Sequence, residues 1–144
     1  MRGERFAGRP AVGPASAGHD NPDLQSPVPS ITTHVLDTSI GRPATGIQVV
    51  LERGGQSAQW QFVGHGEADA DGRVRSLMKE GDQVEPGLYR LVFDTRTYFK
   101  ARRVQTLYPS IVVTFEVPEP VEPGAHYHVP LLLSPFGYTT YRGS

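Results

Sequence analysis

The chain contains no cysteine, which excludes a disulfide framework and a thiolate metal site. It also lacks any apolar run near the roughly 18 residues that a membrane helix needs. No excess of either charge is present: 14 basic and 15 acidic residues leave a net charge of −1. Composition therefore points to neither a nucleic-acid surface nor a polyanion partner. What remains is a water-soluble reading for a chain of 144 residues, a length that fits one domain with a core large enough to need no staples. The absence of cysteine is compatible with a reducing compartment, and the location expected is cytoplasmic.

The first thirty residues differ from the rest. They hold five of the thirteen prolines and four glycines, with Phe6 as their only aromatic residue. Such a segment buries too little apolar surface to offset the entropy of ordering it, so residues 1–30 are expected to form a disordered tail. It lacks the apolar stretch of a secretory signal, and Glu4, Asp20 and Asp23 weigh against a transit peptide.

From Ile31 onward the chain alternates apolar and polar positions in short runs between Gly, Pro and Asp clusters. Strands are expected at residues 31–37, 47–53, 60–64, 73–78, 88–94 and 111–117, followed by two more near the end. Ile47, Val49 and Leu51 share one strand face, as do Tyr89, Leu91 and Phe93, and Ile111, Val113, Phe115 and Val117. About eight short strands separated by turns predict an all-β sandwich or barrel. Residues 95–103 break the pattern. There Tyr98, Phe99 and Ala101 form an apolar helical stripe, and Asp94 or Thr95 is a suitable cap. Pro118, Pro120 and Pro123 make residues 118–124 a loop.

The last nineteen residues are the most informative. They read as two strands joined by Ser134-Pro135-Phe136-Gly137. Alternation puts His126, His128, Pro130 and Leu132 on one face, against Tyr127, Val129, Leu131 and Leu133 on the other. Termini usually fray, so an ending in Tyr141-Arg142-Gly143-Ser144 directly after a strand suggests part of a site. Taken alone, His34 in the first strand is a structural or solvent-facing residue, and Arg73 after the Asp71-Gly72 turn is equally a solvated arginine or a cation for an anionic ring. His65, between two glycines, reads as a loop residue, and His19 lies in the tail. His126 and His128, at i and i+2 on a strand, stand about 6.6 Å apart. With a third imidazole they would make a zinc site able to activate hydroxide. Against this, no carboxylate close in sequence is there to orient the rings.

Three blocks together resemble a known family. The terminal Tyr141-Arg142-Gly143-Ser144, the segment Thr33-His34-Val35-Leu36-Asp37-Thr38 with Gly41-Arg42-Pro43-Ala44, and Asp71-Gly72-Arg73 are similar to the signatures of 5-hydroxyisourate hydrolases, the purine-degrading relatives of transthyretin. The resemblance spans about residues 31–144. Phe136 and Thr139 depart from common spellings but conserve size or chemistry. The resemblance implies a transthyretin-like β-sandwich in two sheets with one short helix, assembled as a homotetramer and acting without cofactor or metal. It implies that His34, Arg73 and His128 are catalytic and that Tyr141, Arg142, Gly143 and Ser144 bind the substrate. His126 is then a neighbour of the site or a surface residue. Two other readings stay open on the residues alone: a transthyretin-like carrier of an apolar ligand, and a non-catalytic β-sandwich module.

Overall fold

The computed structural model describes residues 29–55 and 59–144. The tail expected at residues 1–30, with His19, lies outside the described residues except for its last two positions, and Ser30 already belongs to a strand. Ten strands are described: β1 (Ser30–Asp37), β2 (Arg42–Pro43), β3 (Gln48–Gly54), β4 (Trp60–Glu67), β5 (Arg73–Val74), β6 (Gly87–Phe93), β7 (Ile111–Val117), β8 (His126–His128), β9 (Leu131–Ser134) and β10 (Gly137–Thr140). One helix, α1 (Thr95–Ala101), stands between β6 and β7. Among these residues no helix is long and apolar enough to cross a membrane.

The strands form two sheets. One runs β4-β3-β6-β7 and is antiparallel throughout. The other is centred on β1 and runs β10-β9-β1-β2, with β5 and β8 also paired to β1. Along one side β1 is parallel to β8 and then to β9. Along its other side it pairs antiparallel with β5 and β2. One strand thus gathers segments from the middle and the end of the chain.

Period-two alternation decides what lies between the sheets. Ile31, Val35, Leu131 and Leu133 of the β1 sheet meet Val49, Leu51, Tyr89, Leu91, Phe93, Ile111 and Val113 of the other, all buried. Each such side chain contributes about 1.5–3 kcal/mol through removal from water. Phe115, expected inside, is only partly buried and stacks on Tyr89 at 5.9 Å.

The helix follows its caps. Asp94 accepts from the Thr97 backbone N–H at 3.0 Å, satisfying one of the unpaired donors of the first turn. Tyr98 and Phe99 are buried, whereas Ala101 is exposed and lies outside the apolar stripe. The Tyr98 hydroxyl donates to the buried Asp37 carboxylate at 2.8 Å. Burial, reinforced by that carboxylate, pushes the Tyr98 phenol well above its ordinary pKa. This bond ties α1 to the end of β1, so Asp37 of the Thr-His-Val-Leu-Asp block has a structural role.

Several expected boundaries shift. The run at 60–64 extends to Glu67, so His65 sits in a strand opposite Val50 rather than in a loop. Residues 75–78 are not strand: β5 stops at Val74, where its pairing with β1 ends, and Leu77 turns into the core. The first of the two terminal strands is divided into β8 and β9. Pro130 has no N–H to give to a ladder, and Val129 is held instead by its own bonds to Thr32 and Thr33.

Candidate active site

Strand β1 presents Ser30, Thr32 and His34 on its outward face, opposite the buried Ile31, Thr33 and Val35. Parallel pairing sets Ser30 beside His126 and Thr32 beside His128. Antiparallel pairing sets His34 beside Arg73. A cavity of about 310 Å³ opens there, lined by Ser30, Thr32, Thr33, Arg73, Arg75, His126, His128 and Ser144. Groups nearly a hundred residues apart therefore share one crevice.

The histidines are held by hydroxyls. Thr32 Oγ1 lies 2.8 Å from His128 Nδ1 and 3.4 Å from His126 Nε2. Ser30 Oγ lies 2.6 Å from His126 Nδ1. The two imidazoles stack with ring centroids 5.9 Å apart and planes 10° from parallel. Among the described residues no three His, Cys, Asp or Glu side chains converge as metal ligands.

His34 has a defined tautomer. Its Nε2 lies 2.8 Å from the Asp71 carbonyl oxygen, which can only accept, so Nε2 carries a hydrogen and the neutral ring has its lone pair on Nδ1. His34 does not line the cavity itself; it stands at the margin, two residues along β1 from Thr32.

The turn before Arg73 is built around Asp69. Its carboxylate accepts from the backbone N–H groups of Asp71 and Arg73 at 2.9 and 3.0 Å. The Arg73 bond is the main reason its pKa lies below the ordinary carboxylate value; partial desolvation opposes it, and the Asp71 bond and the charges of Arg75 and Arg73 add to it. Gly72 has φ +83°, and a Cβ there would stand 2.4 Å from the Val35 carbonyl oxygen. Only glycine lets the turn press this closely against β1.

His128 is partly buried, and its pKa lies below the ordinary imidazole value. Loss of water is the chief cause, followed by the charges of His126, Arg73 and His34. At neutral pH it is therefore a neutral ring able to accept a proton.

The terminal tetrapeptide divides. Gly143 donates its N–H to the His128 carbonyl at 2.7 Å, and a Cβ on Gly143 would lie 2.6 Å from the His128 ring. Ser144 thereby reaches the cavity. Tyr141 and Arg142 do not. They line a separate, more apolar groove of about 400 Å³ with Val113, Phe115, Tyr127 and Val129. There the Arg142 guanidinium sits 5.1 Å from the Tyr127 ring centre. Arg142 and Ser144 have the same parity, yet β10 ends at Thr140 and the segment beyond it is not regular strand.

Of the seven site residues expected from the sequence, Arg73, His128 and Ser144 line the cavity, Gly143 packs against His128, and His34 adjoins it. Sequence reasoning missed Ser30, Thr32, Asp69 and Arg75. Serine, threonine and aspartate recur throughout any soluble chain, and only the pairing partners of β1 distinguish these.

Comparison with known proteins gives a consistent result. The model of the HIUase/Transthyretin family matches residues 31–143. A 5-hydroxyisourate hydrolase of Salmonella dublin is 43% identical over 114 residues, covering 79% of this chain and 80% of that protein. The structure of Klebsiella pneumoniae 5-hydroxyisourate hydrolase superimposes with a TM-score of 0.67 at 30% identity, covering 80% of this chain and 99% of that one. Transthyretin from Sparus aurata superimposes with a TM-score of 0.72, also at 30% identity, covering 79% of this chain and 96% of that one. Backbone shape thus does not separate hydrolase from transthyretin; the residues around the cavity must.

Proposed function

The chain belongs to the HIUase/transthyretin family, and from that premise we propose that it is a 5-hydroxyisourate hydrolase acting at the β1 cavity. It opens the six-membered ring of 5-hydroxyisourate with water, yielding 2-oxo-4-hydroxy-4-carboxy-5-ureidoimidazoline in urate degradation. The observation that carries the assignment of the site is the meeting of Arg73, His128 and Ser144 around one crevice.

In this reading His128 is the general base. It lines the cavity, and its lowered pKa keeps it neutral where a base must be free to act. Arg73 faces the ring carbonyl, where its planar guanidinium offsets the negative charge that develops on oxygen. His34, whose Nε2–H is held by the Asp71 carbonyl, takes up a proton on Nδ1 and passes it to the leaving nitrogen. Ser144 offers its hydroxyl to the substrate's N–H groups, while Gly143 lets the backbone approach His128. Tyr141 and Arg142 clamp the terminus from the opposite side, through Tyr127. No metal or cofactor takes part.

A carrier of an apolar ligand fits these residues poorly. Charged groups such as Arg73 are costly to desolvate against an apolar guest. The deciding measurement is optical. Freshly oxidised urate supplies 5-hydroxyisourate, and adding the protein should accelerate the loss of its near-ultraviolet absorbance. Decay at the spontaneous rate would defeat the assignment.

The working form in this proposal is a homotetramer. Strands β7 and β10 end their sheets, and open sheet edges call for cover, which a two-fold copy of the same surface supplies. Sedimentation is expected to give four chains per particle; a stable monomer with full activity would remove this part.

A further inference from the structure

The hydrogen-bonded series His128–Thr32–His126–Ser30 has no counterpart among the roles assigned above, and it resembles a wire more than a scaffold. Its links are 2.8 Å from His128 Nδ1 to Thr32 Oγ1, 3.4 Å from there to His126 Nε2, and 2.6 Å from His126 Nδ1 to Ser30 Oγ. One end is the partly buried His128, and the other is the exposed His126. Every member alternates between donor and acceptor without moving a heavy atom, since hydroxyls rotate and imidazoles carry a hydrogen on either nitrogen.

The proposed reaction needs such an exit. Its balance is one ring N–C(O) bond broken and one C–O bond formed from water. One water hydrogen ends on the leaving nitrogen, and the other stays with the new carboxylic acid. A carboxyl group with a pKa near 4 ionises at neutral pH, while a ureido nitrogen takes up no further proton. Each turnover therefore releases one proton inside a crevice that also holds Arg73 and Arg75. That proton collects on the nearest free base, His128, which must lose it before acting again.

We infer that Thr32 and His126 form a proton relay that returns His128 to its neutral form after each turnover, a role that rests on His128 being the general base. His128 gives its Nδ1 hydrogen to Thr32 Oγ1 while the Thr32 hydrogen passes to His126 Nε2. His126 then releases its Nδ1 hydrogen beside Ser30, at the solvent-facing end, and each ring regains its starting tautomer by exchanging its Nε2 hydrogen for one on Nδ1 through water. The charges around the inner ring favour outward flow, because Arg73 and any charge on His34 oppose a proton held on His128, although a proton on His126 opposes it too until His126 releases it. Thr32 and His126 are thus positioning and transfer groups that act through His128.

The test uses the full chain and compares Thr32→Val, Thr32→Ser and His126→Gln with the parent in dilute buffer and in rising concentrations of imidazole. Valine keeps the shape of threonine but removes the hydroxyl. Expected for Thr32→Val and His126→Gln is a fall in kcat of about tenfold in dilute buffer, a fraction of the full effect of a general base. KM should be unchanged, with recovery toward the parental rate as imidazole carries the proton instead. Thr32→Ser should keep most of the activity. Parental kcat in Thr32→Val at every buffer concentration would overturn the relay, as would a loss that imidazole does not repair. Activity retained in His128→Ala would overturn the base assignment beneath it, so the two failures are distinguishable.

Discussion

Replacing His128 by alanine is expected to lower kcat by about 10²-fold or more, the contribution typical of a positioned general base. The expectation follows from its environment. His128 lines the cavity, receives a hydrogen-bond partner at Nδ1 from Thr32, and is kept below the ordinary imidazole pKa chiefly by burial. The sign of the pH dependence follows as well. A lowered pKa means that the active, neutral form persists to more acidic solution than a free histidine would allow, so kcat should hold through pH 7 and fall only below about 6.5. In His128→Ala that acid limb should disappear along with the rate. The substitution removes a partly exposed ring outside the core, so the circular dichroism spectrum should be unchanged. An alanine variant turning over at the parental rate would take His128 out of the mechanism.

Removing residues 141–144 is the second large effect, expected to abolish measurable turnover while leaving a folded protein. Five things go at once: Ser144 from the cavity, the Gly143 bond to the His128 carbonyl, the Gly143 backbone packed against the His128 ring, Arg142 from the face of Tyr127, and the Arg142 bond to the His126 carbonyl. None of them lies in the core. Leu131 and Leu133 stay buried in β9, and β9 retains its pairing with β1 and with β10, whose last residue is Thr140. The stability lost should therefore be a small part of the total, near that of two hydrogen bonds and one cation–π contact, about 1.5–4 kcal/mol together. A truncated chain with full activity would show that the terminus plays no part in the site. A truncated chain that failed to fold would show that the segment belongs to the core.

The substitution and the truncation probe different levels of organisation. Which side chains face the core depends on neighbours two residues away, and that information is local. Tyr127, Val129, Leu131 and Leu133 share one face by alternation, and all four are buried. The same holds for Ile47, Val49 and Leu51, and for Tyr89, Leu91 and Phe93. The cap is legible as Asp94 or Thr95, because a capping bond spans three residues, and Asp94 is the one that makes it. Failures occurred where a partner elsewhere in the chain decided the outcome. Residues 75–78 have strand-like composition but lose their pairing with β1 after Val74, and His65 joins β4 because β3 runs beside it.

The sequence by itself determined the class of the fold, the inward faces of its strands and, through three short blocks, the family. Those depend on covalent order and on contacts a few residues apart, which a linear string records. Only the tertiary structure decided that β1 pairs with β8 on one flank and β5 on the other, bringing Arg73, His128 and Ser144 into one crevice with Thr32 between two imidazoles. It also decided that Arg142 turns to the opposite groove. The reason is that strand register across nearly a hundred residues is set by the packing of both sheets together, and no spacing along the chain encodes it.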